Sequence, residues 1–175
     1  MELIINKDNL NENKVSEFKK KVRAILIDDN KILVANYGGV YLLPGGSIDD
    51  CETIYDAITR ELQEETGISY MKEELEYIFT LKHFQSNYPK RDGSFQNRVV
   101  ETHYFVGNYK DILYNNQILT EKELNDKLKL QLVNIDELQT IILNNKTENP
   151  RNSYFYDELT CVLGYYKKEY TKKTL

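Results

Sequence analysis

The stretch LPGGSIDDCETIYDAITRELQEETGI, residues 43–68, decides the reading of this chain. It opens on a glycine-rich turn, passes through an acidic entry and settles into one strong helical period. A helix advances by about 100° per residue, so positions three, four and seven apart share a face. One face carries Ile54, Ala57 and Ile58, with Leu62 on its flank, which predicts an amphipathic helix packed on a core. The same stripe then runs into Glu61 and Glu65, with Glu64 at its edge. Carboxylates that face a core must be paired, hydrated or bound to a metal, because burying them bare is costly. Three of them in one turn also raise one another's pKa unless a cation sits among them. A hard ion such as Mg²⁺ meets that need, since it prefers oxygen ligands and bridges carboxylates to phosphates. A solvated acidic face, with Arg60 paired along the helix to Asp56 or Glu64, accounts for Glu64. It does not account for Glu61 and Glu65, which interrupt the apolar stripe.

Gly46, five residues, Glu52, seven residues, then Arg60-Glu61-Leu62-Gln63-Glu64-Glu65-Thr66-Gly67-Ile68 fills every defined position of a known pattern. It resembles the Nudix box, G-x5-E-x7-R-E-U-x-E-E-x-G-U with U aliphatic, and Leu43-Pro44-Gly45 before it is also similar to that family. So many positions at fixed spacing make a specific signal, unlike a lone glycine motif. A strand-rich surround extends the resemblance more weakly to about residues 20–145. The resemblance implies an α/β (α+β) fold, an α/β/α sandwich with a mixed β-sheet between helices. It implies a Mg²⁺ site, with Mn²⁺ able to substitute, formed by Glu61, Glu64, Glu65 and the Gly46 carbonyl. It assigns Arg60 to orienting the catalytic carboxylates, and Glu52 to holding the helix by pairing with Arg60. The activity implied is hydrolysis of the diphosphate linkage in a nucleoside diphosphate joined to another group. Water attack at phosphorus is then served by a box glutamate as base, or by a further acidic group outside the box. Glu101 is the candidate for that group, because strand alternation sets it with Val99, His103 and Phe105 on one face.

The wider chain sets bounds. At 175 residues it is most simply one domain with a substantial core. A net charge of −5 argues against a general nucleic-acid backbone binder, which needs a basic stripe. Cys51 and Cys161 lack metal-ligand spacing and no secretion signal opens the chain, so free thiols in a reducing cytoplasm are expected. No apolar run has the length to cross a bilayer.

Residues 1–20 read as an N-terminal arm or extra strand, and residues 21–175 as a single domain with a C-terminal helix. Val22–Ile27 and Lys31–Tyr37 read as strands around the Asp28-Asp29-Asn30 turn. Arg23 is either a surface-facing strand residue or a phosphate contact, its guanidinium matching phosphate oxygens. Gly38-Gly39 is a second turn, and Tyr41–Leu43 a short strand. Asp49 and Asp50 suit the start of the box helix and Gly67 its end. Leu75–Phe84 and Arg98–Tyr109 read as long strands joined by residues 85–97, with Lys90, Arg91 and Arg98 at or beside the loop.

Residues 110–127 read as a polar loop or insertion. Lys129–Val133 reads as a strand and Glu137 to about Asn145 as a helix capped by Asn134 or Asp136. Pro150 breaks the chain before a tyrosine-rich helix from about Ser153 to Tyr170, suited to packing on the sheet or on a second subunit as a homodimer contact. Arg23, Tyr41 and Arg98 are the expected substrate contacts, the tyrosine by stacking on a base and the arginines by clamping phosphate; Tyr37 is expected in the core. The substrate class remains open among nucleoside triphosphates, ADP-ribose, sugar nucleotides and dinucleoside polyphosphates. A non-catalytic domain that senses a nucleotide is the alternative class. Such a domain could lose a box carboxylate, whereas all are present here.

Overall fold

Strand alternation in the middle of the chain builds a sheet that is buried on both faces. In the computed structural model, which describes residues 1–37, 40–90, 92–125, 128–144 and 150–169, seven strands form one mixed sheet. They are β1 (Glu2–Ile5), β2 (Glu17–Asp28), β3 (Lys31–Tyr37), β4 (Val40–Leu42), β5 (Glu76–Pro89), β6 (Phe95–Asn108) and β7 (Lys129–Asn134). The order is β1-β5-β6-β2-β3-β4, with β7 also paired to β3. β1 runs parallel to β5 and β2 parallel to β6, and the other pairings are antiparallel.

Four α-helices lie among the described residues: α1 (Ile54–Thr66), α2 (Glu121–Asn125), α3 (Ile135–Asn144) and α4 (Pro150–Glu169). Val22, Ala24 and Leu26 of β2, with Leu33 and Ala35 of β3, pack against Ala57, Ile58 and Leu62 of α1. Their alternates Ile25, Ile32 and Val34 pack on the other face, against Leu138 and Ile142 of α3 and Leu159, Val162 and Leu163 of α4. The period of two thus divides the apolar residues between two cores, and the expected α/β/α sandwich is observed.

Several boundaries move for physical reasons. The division at residues 20/21 falls inside β2, whose parallel pairing with β6 begins at Glu17↔Arg98. β5 and β6 extend into the expected loop as far as Pro89↔Phe95, across a register irregularity between Gln85 and Tyr88 that interrupts alternation and hid the strand ends from sequence reading. Thr53, rather than Asp49 or Asp50, caps α1: its side chain accepts from the Asp56 N–H at 3.2 Å. Gly67 ends the helix at φ 73°, as expected. Pro150 opens α4 instead of preceding it, a position where its missing N–H has no helical partner to lose. Residues 110–127 hold the short helix α2 and a tight turn at Tyr114–Asn116. The Gly38-Gly39 turn, Arg91, Asn145 and Tyr170 lie outside the described residues.

The tyrosines of α4 serve the core. Tyr156 is buried in the α3/α4 cluster and Tyr165 and Tyr166 pack against it, which is the sheet-packing use expected of this helix. Cys51 and Cys161 are free thiols. No described helix is long and apolar enough to cross a membrane.

Candidate active site

The site forms where two neighbouring strands part. β2 and β3 pair only at Ile27↔Ile32 and Asp28↔Lys31. Further back along β2, the glycine turn takes the vacated edge: the Ala24 N–H donates to the Pro44 carbonyl at 2.9 Å, the Val22 N–H to the Gly46 carbonyl at 3.0 Å, and the Ile48 N–H to the Lys20 carbonyl at 3.1 Å. Gly45 has φ 130°, and a Cβ there would lie 2.3 Å from the Val22 carbonyl oxygen. Only glycine permits that approach. The turn carries the chain directly into α1 and leaves a cleft of about 850 Å³ beside it.

Glu61, Glu64 and Glu65 of α1 line this cleft, with Gly45, Gly46, Ser47, Asp49 and Arg60. The carboxylates that broke the apolar stripe therefore point into a cavity rather than into packed hydrocarbon. Glu65 is 1 % exposed; its two oxygens accept from the Gly45 N–H at 2.9 Å and the Tyr37 hydroxyl at 3.1 Å. Burial pushes its carboxyl up to about 8, against the Gly45 amide and the Arg23 charge, which hold it down. Burial likewise raises the Glu61 carboxyl, opposed by its hydrogen bond from Arg60. Arg60 donates to Glu52 through Nε at 2.7 Å and Nη2 at 2.9 Å; Nη2 also reaches the Ser47 carbonyl at 3.0 Å, and Nη1 reaches Glu61 at 3.0 Å and Glu64 at 3.2 Å. This fork ties the start of α1 to its last turns and holds two carboxylates at the cleft.

Among the described residues no three His, Cys, Asp or Glu side chains converge as a ready-made metal group. The reason is visible: Glu61 and Glu64 are turned onto Arg60, and Glu65 onto Gly45 and Tyr37. The donor chemistry nonetheless fits a hard divalent ion, being carboxylate oxygens beside a backbone carbonyl. Gly46 lies hard against Glu61, since a Cβ on it would sit 2.3 Å from Glu61 Oε2. The Gly46 carbonyl accepts the Val22 N–H and keeps a second lone pair.

Three expected site residues lie elsewhere. Glu101 is absent from the cleft lining; it sits on β6, one strand away, beside His103 Nε2 at 3.4 Å. Alternation set its face correctly but says nothing of lateral position in the sheet. Arg98 is 8 % exposed and occupied, donating to Gln85 Oε1 at 2.6 Å, lying 3.2 Å over the Tyr88 ring and facing Glu17 at 3.8 Å. Tyr41 points away: its neighbours Val40 and Leu42 line the cleft, while Tyr41 packs against the α3/α4 core. Arg23 does line the cleft but is 5 % exposed, its guanidinium donating to the Leu43 carbonyl and, at 3.4 Å, to that of Gly45. Its Nε faces Glu158 of α4 at 3.4 Å, and it serves as a strut under the glycine turn. His83 is buried against Gln85 and Tyr154, as a structural residue should be.

Sequence reading missed Lys21, Tyr37, Thr120, Glu123 and Phe155, all of which line the cleft. Lys21 shares Arg23's parity on β2, a signal that was available. Tyr37 was expected in the core, but its hydroxyl holds Glu65, and burial with that carboxylate raises its own pKa. Glu123 came from a polar stretch without periodicity, and only the chain's return past the Glu64 and Glu65 carbonyls, through Ile118 N–H at 2.9 Å and the Gln117 side chain, brings α2 to the site.

This strand–turn–helix geometry is that of a Nudix hydrolase. The NUDIX domain family matches residues 17–159, and the chain belongs to it. A curated relative, the ADP-ribose pyrophosphatase of Methanocaldococcus jannaschii, is 40% identical over 52 residues, covering 27% of this chain and 31% of that one. The chain thus matches about a third of that relative's length. Among solved structures, a MutT protein from Methanosarcina mazei Go1 is similar over 87% of this chain and 96% of its own, with TM-score 0.54 and 16% identity. A NUDIX hydrolase from Nitrosomonas europaea covers 81% and 90%, with TM-score 0.53 and 18% identity. At such identities these two speak for the fold alone.

Proposed function

We propose that this protein hydrolyses the diphosphate linkage of a nucleoside diphosphate joined to a second group, using Mg²⁺, with Mn²⁺ able to substitute. The observation that carries this reading is the pair of buried glutamates, Glu61 and Glu65, opening from the apolar stripe of α1 into a cleft. Glu61, Glu64 and Glu65, with the Gly46 carbonyl, would hold the ion. When bound, the ion supplies charge neutralisation for the diphosphate and the leaving phosphate. Glu65 is oriented by the Gly45 N–H and the Tyr37 hydroxyl. Arg60, held by Glu52, steers Glu61 and Glu64. Glu64 and Glu123 are the less buried of the cleft glutamates, and either would serve as proton acceptor for an attacking water. On the apolar side, Val40, Leu42, Tyr37 and Phe155 offer a surface for the nucleoside.

The 40% identical segment of an ADP-ribose pyrophosphatase makes ADP-ribose the first substrate to test. The assay is phosphate-coupled product release with Mg²⁺ across ADP-ribose, nucleoside triphosphates, sugar nucleotides and dinucleoside polyphosphates. One of these is expected to turn over, and Glu61→Gln to lower that turnover at least about a hundredfold, as loss of a principal electrostatic element does. Binding without turnover of any of them would instead make the domain a nucleotide sensor.

A further inference from the structure

A cleft lined by carboxylates that takes a polyanion gains from a protein cation at the point of contact, beside any metal ion. Among the described residues, three cationic side chains line the cleft: Lys21, Arg23 and Arg60. Two are committed. Arg60 is shared among Glu52, Glu61, Glu64 and the Ser47 carbonyl. Arg23 is spent on the Leu43 and Gly45 carbonyls and on Glu158. The Lys21 ammonium has no hydrogen bond or ion pair among the described residues. It is partly buried, with a wall that otherwise carries Asp49, Glu61, Glu64, Glu65 and Glu123.

Backbone register adds a second, independent observation. Lys21 is bridged directly to Ser47, and the next residue of β2, Val22, donates to the Gly46 carbonyl. Lys21 therefore projects from the strand position alongside the glycine turn, next to the backbone that abuts Glu61. A cation without a partner among the described residues, set beside that turn, suits an anion from solution.

We propose that Lys21 is the anchor for the substrate's diphosphate, binding a phosphate oxygen through its ammonium beside the Gly46-Ser47 turn. This rests on the hydrolase reading only for the identity of the anion. The role is that of a point charge with three donors, not of a planar fork. Burial and the nearby Arg23 charge lower the Lys21 pKa to about 8, as suits a group whose counter-charge arrives with the ligand.

The test uses the full chain and inorganic pyrophosphate as probe, titrated calorimetrically with Mg²⁺ present, next to steady-state kinetics on whichever nucleotide turns over. Lys21→Met is expected to weaken pyrophosphate binding and raise KM roughly ten- to hundredfold, the range for losing one charge-assisted contact, with kcat changed much less. Lys21→Arg restores binding to within about threefold, because the charge is retained. Should Lys21→Met fold poorly, Lys21→Gln gives the same comparison with a neutral donor in place. Binding and KM within twofold of wild type in the neutral variants would overturn the proposal, as would a wild type that binds no pyrophosphate. If no nucleotide is hydrolysed but the neutral variants lose pyrophosphate affinity, the hydrolase reading fails and the Lys21 anchor stands.

Discussion

Neutralising Glu158 isolates the strut beneath the glycine turn. Arg23 and Glu158 are 5 % and 7 % exposed, and Arg23 Nε lies 3.4 Å from Glu158 Oε1. The Tyr104 hydroxyl donates to the same carboxylate. Burial alone would lower the Arg23 pKa, yet Glu158 turns the balance and leaves it raised. Glu158→Gln keeps the volume and an acceptor for Tyr104 but strands the guanidinium charge. Breaking a buried pair by removing one partner costs about 3–5 kcal/mol, and the retained hydrogen bond argues for about 3. For a domain of this size each kcal/mol moves Tm by about 2–4 °C, so a fall of about 6–12 °C is expected by calorimetry at pH 7. The double variant Arg23→Met with Glu158→Leu should recover much of that loss, since apolar replacement of a buried pair is often neutral. A Glu158→Gln protein melting within about 2 °C of wild type would refute the reasoning.

Two further outcomes follow from the site. The Glu65 carboxyl, raised by burial to about 8, contributes stability that is fully present below its unfolded value near 4.5 and lost as pH rises through 8. Metal-free protein should therefore lose Tm across that window, more so than Glu65→Gln, and Mg²⁺ should restore the loss at pH 8 because it binds the ionised form; equal slopes for the two proteins would remove Glu65 from this role. Gly46→Ala places a Cβ 2.3 Å from Glu61 Oε2, so Glu61 must swing away. Turnover should fall at least about tenfold while circular dichroism stays unchanged, and a fully active variant would show that Glu61 is free to move.

How far the chain could be read without its fold differs from residue to residue. Thirteen residues of α1 follow from local period, and the conflict between that period and Glu61 and Glu65 marked the site before any contact was known. The pairing of Arg60 with Glu52 came from the family resemblance, since Glu52 precedes the helix and helical spacing alone offered Asp56 or Glu64 as the partner. Helical spacing is a local property, and it survives translation into space.

Glu101, Arg98 and Tyr41 show where such reading stops. Period two tells which face a strand residue takes, but neither how many strands separate it from the cleft nor which neighbour already holds its charge. Arg98 was taken up by Gln85, Tyr88 and Glu17, and Tyr41 by the α3/α4 core, and of these partners Glu17, α3 and α4 are remote along the chain. Lys21, Tyr37, Glu123 and Phe155 reached the cleft by the same long-range route. By itself the sequence determined the box helix and its carboxylates, because these follow from spacing along one segment, and through the box it implied the family and a sheet between helices. Only the tertiary structure decided which cleft cations are spent and which one has no partner among the described residues, because charge pairing depends on distance in space and not on separation along the chain.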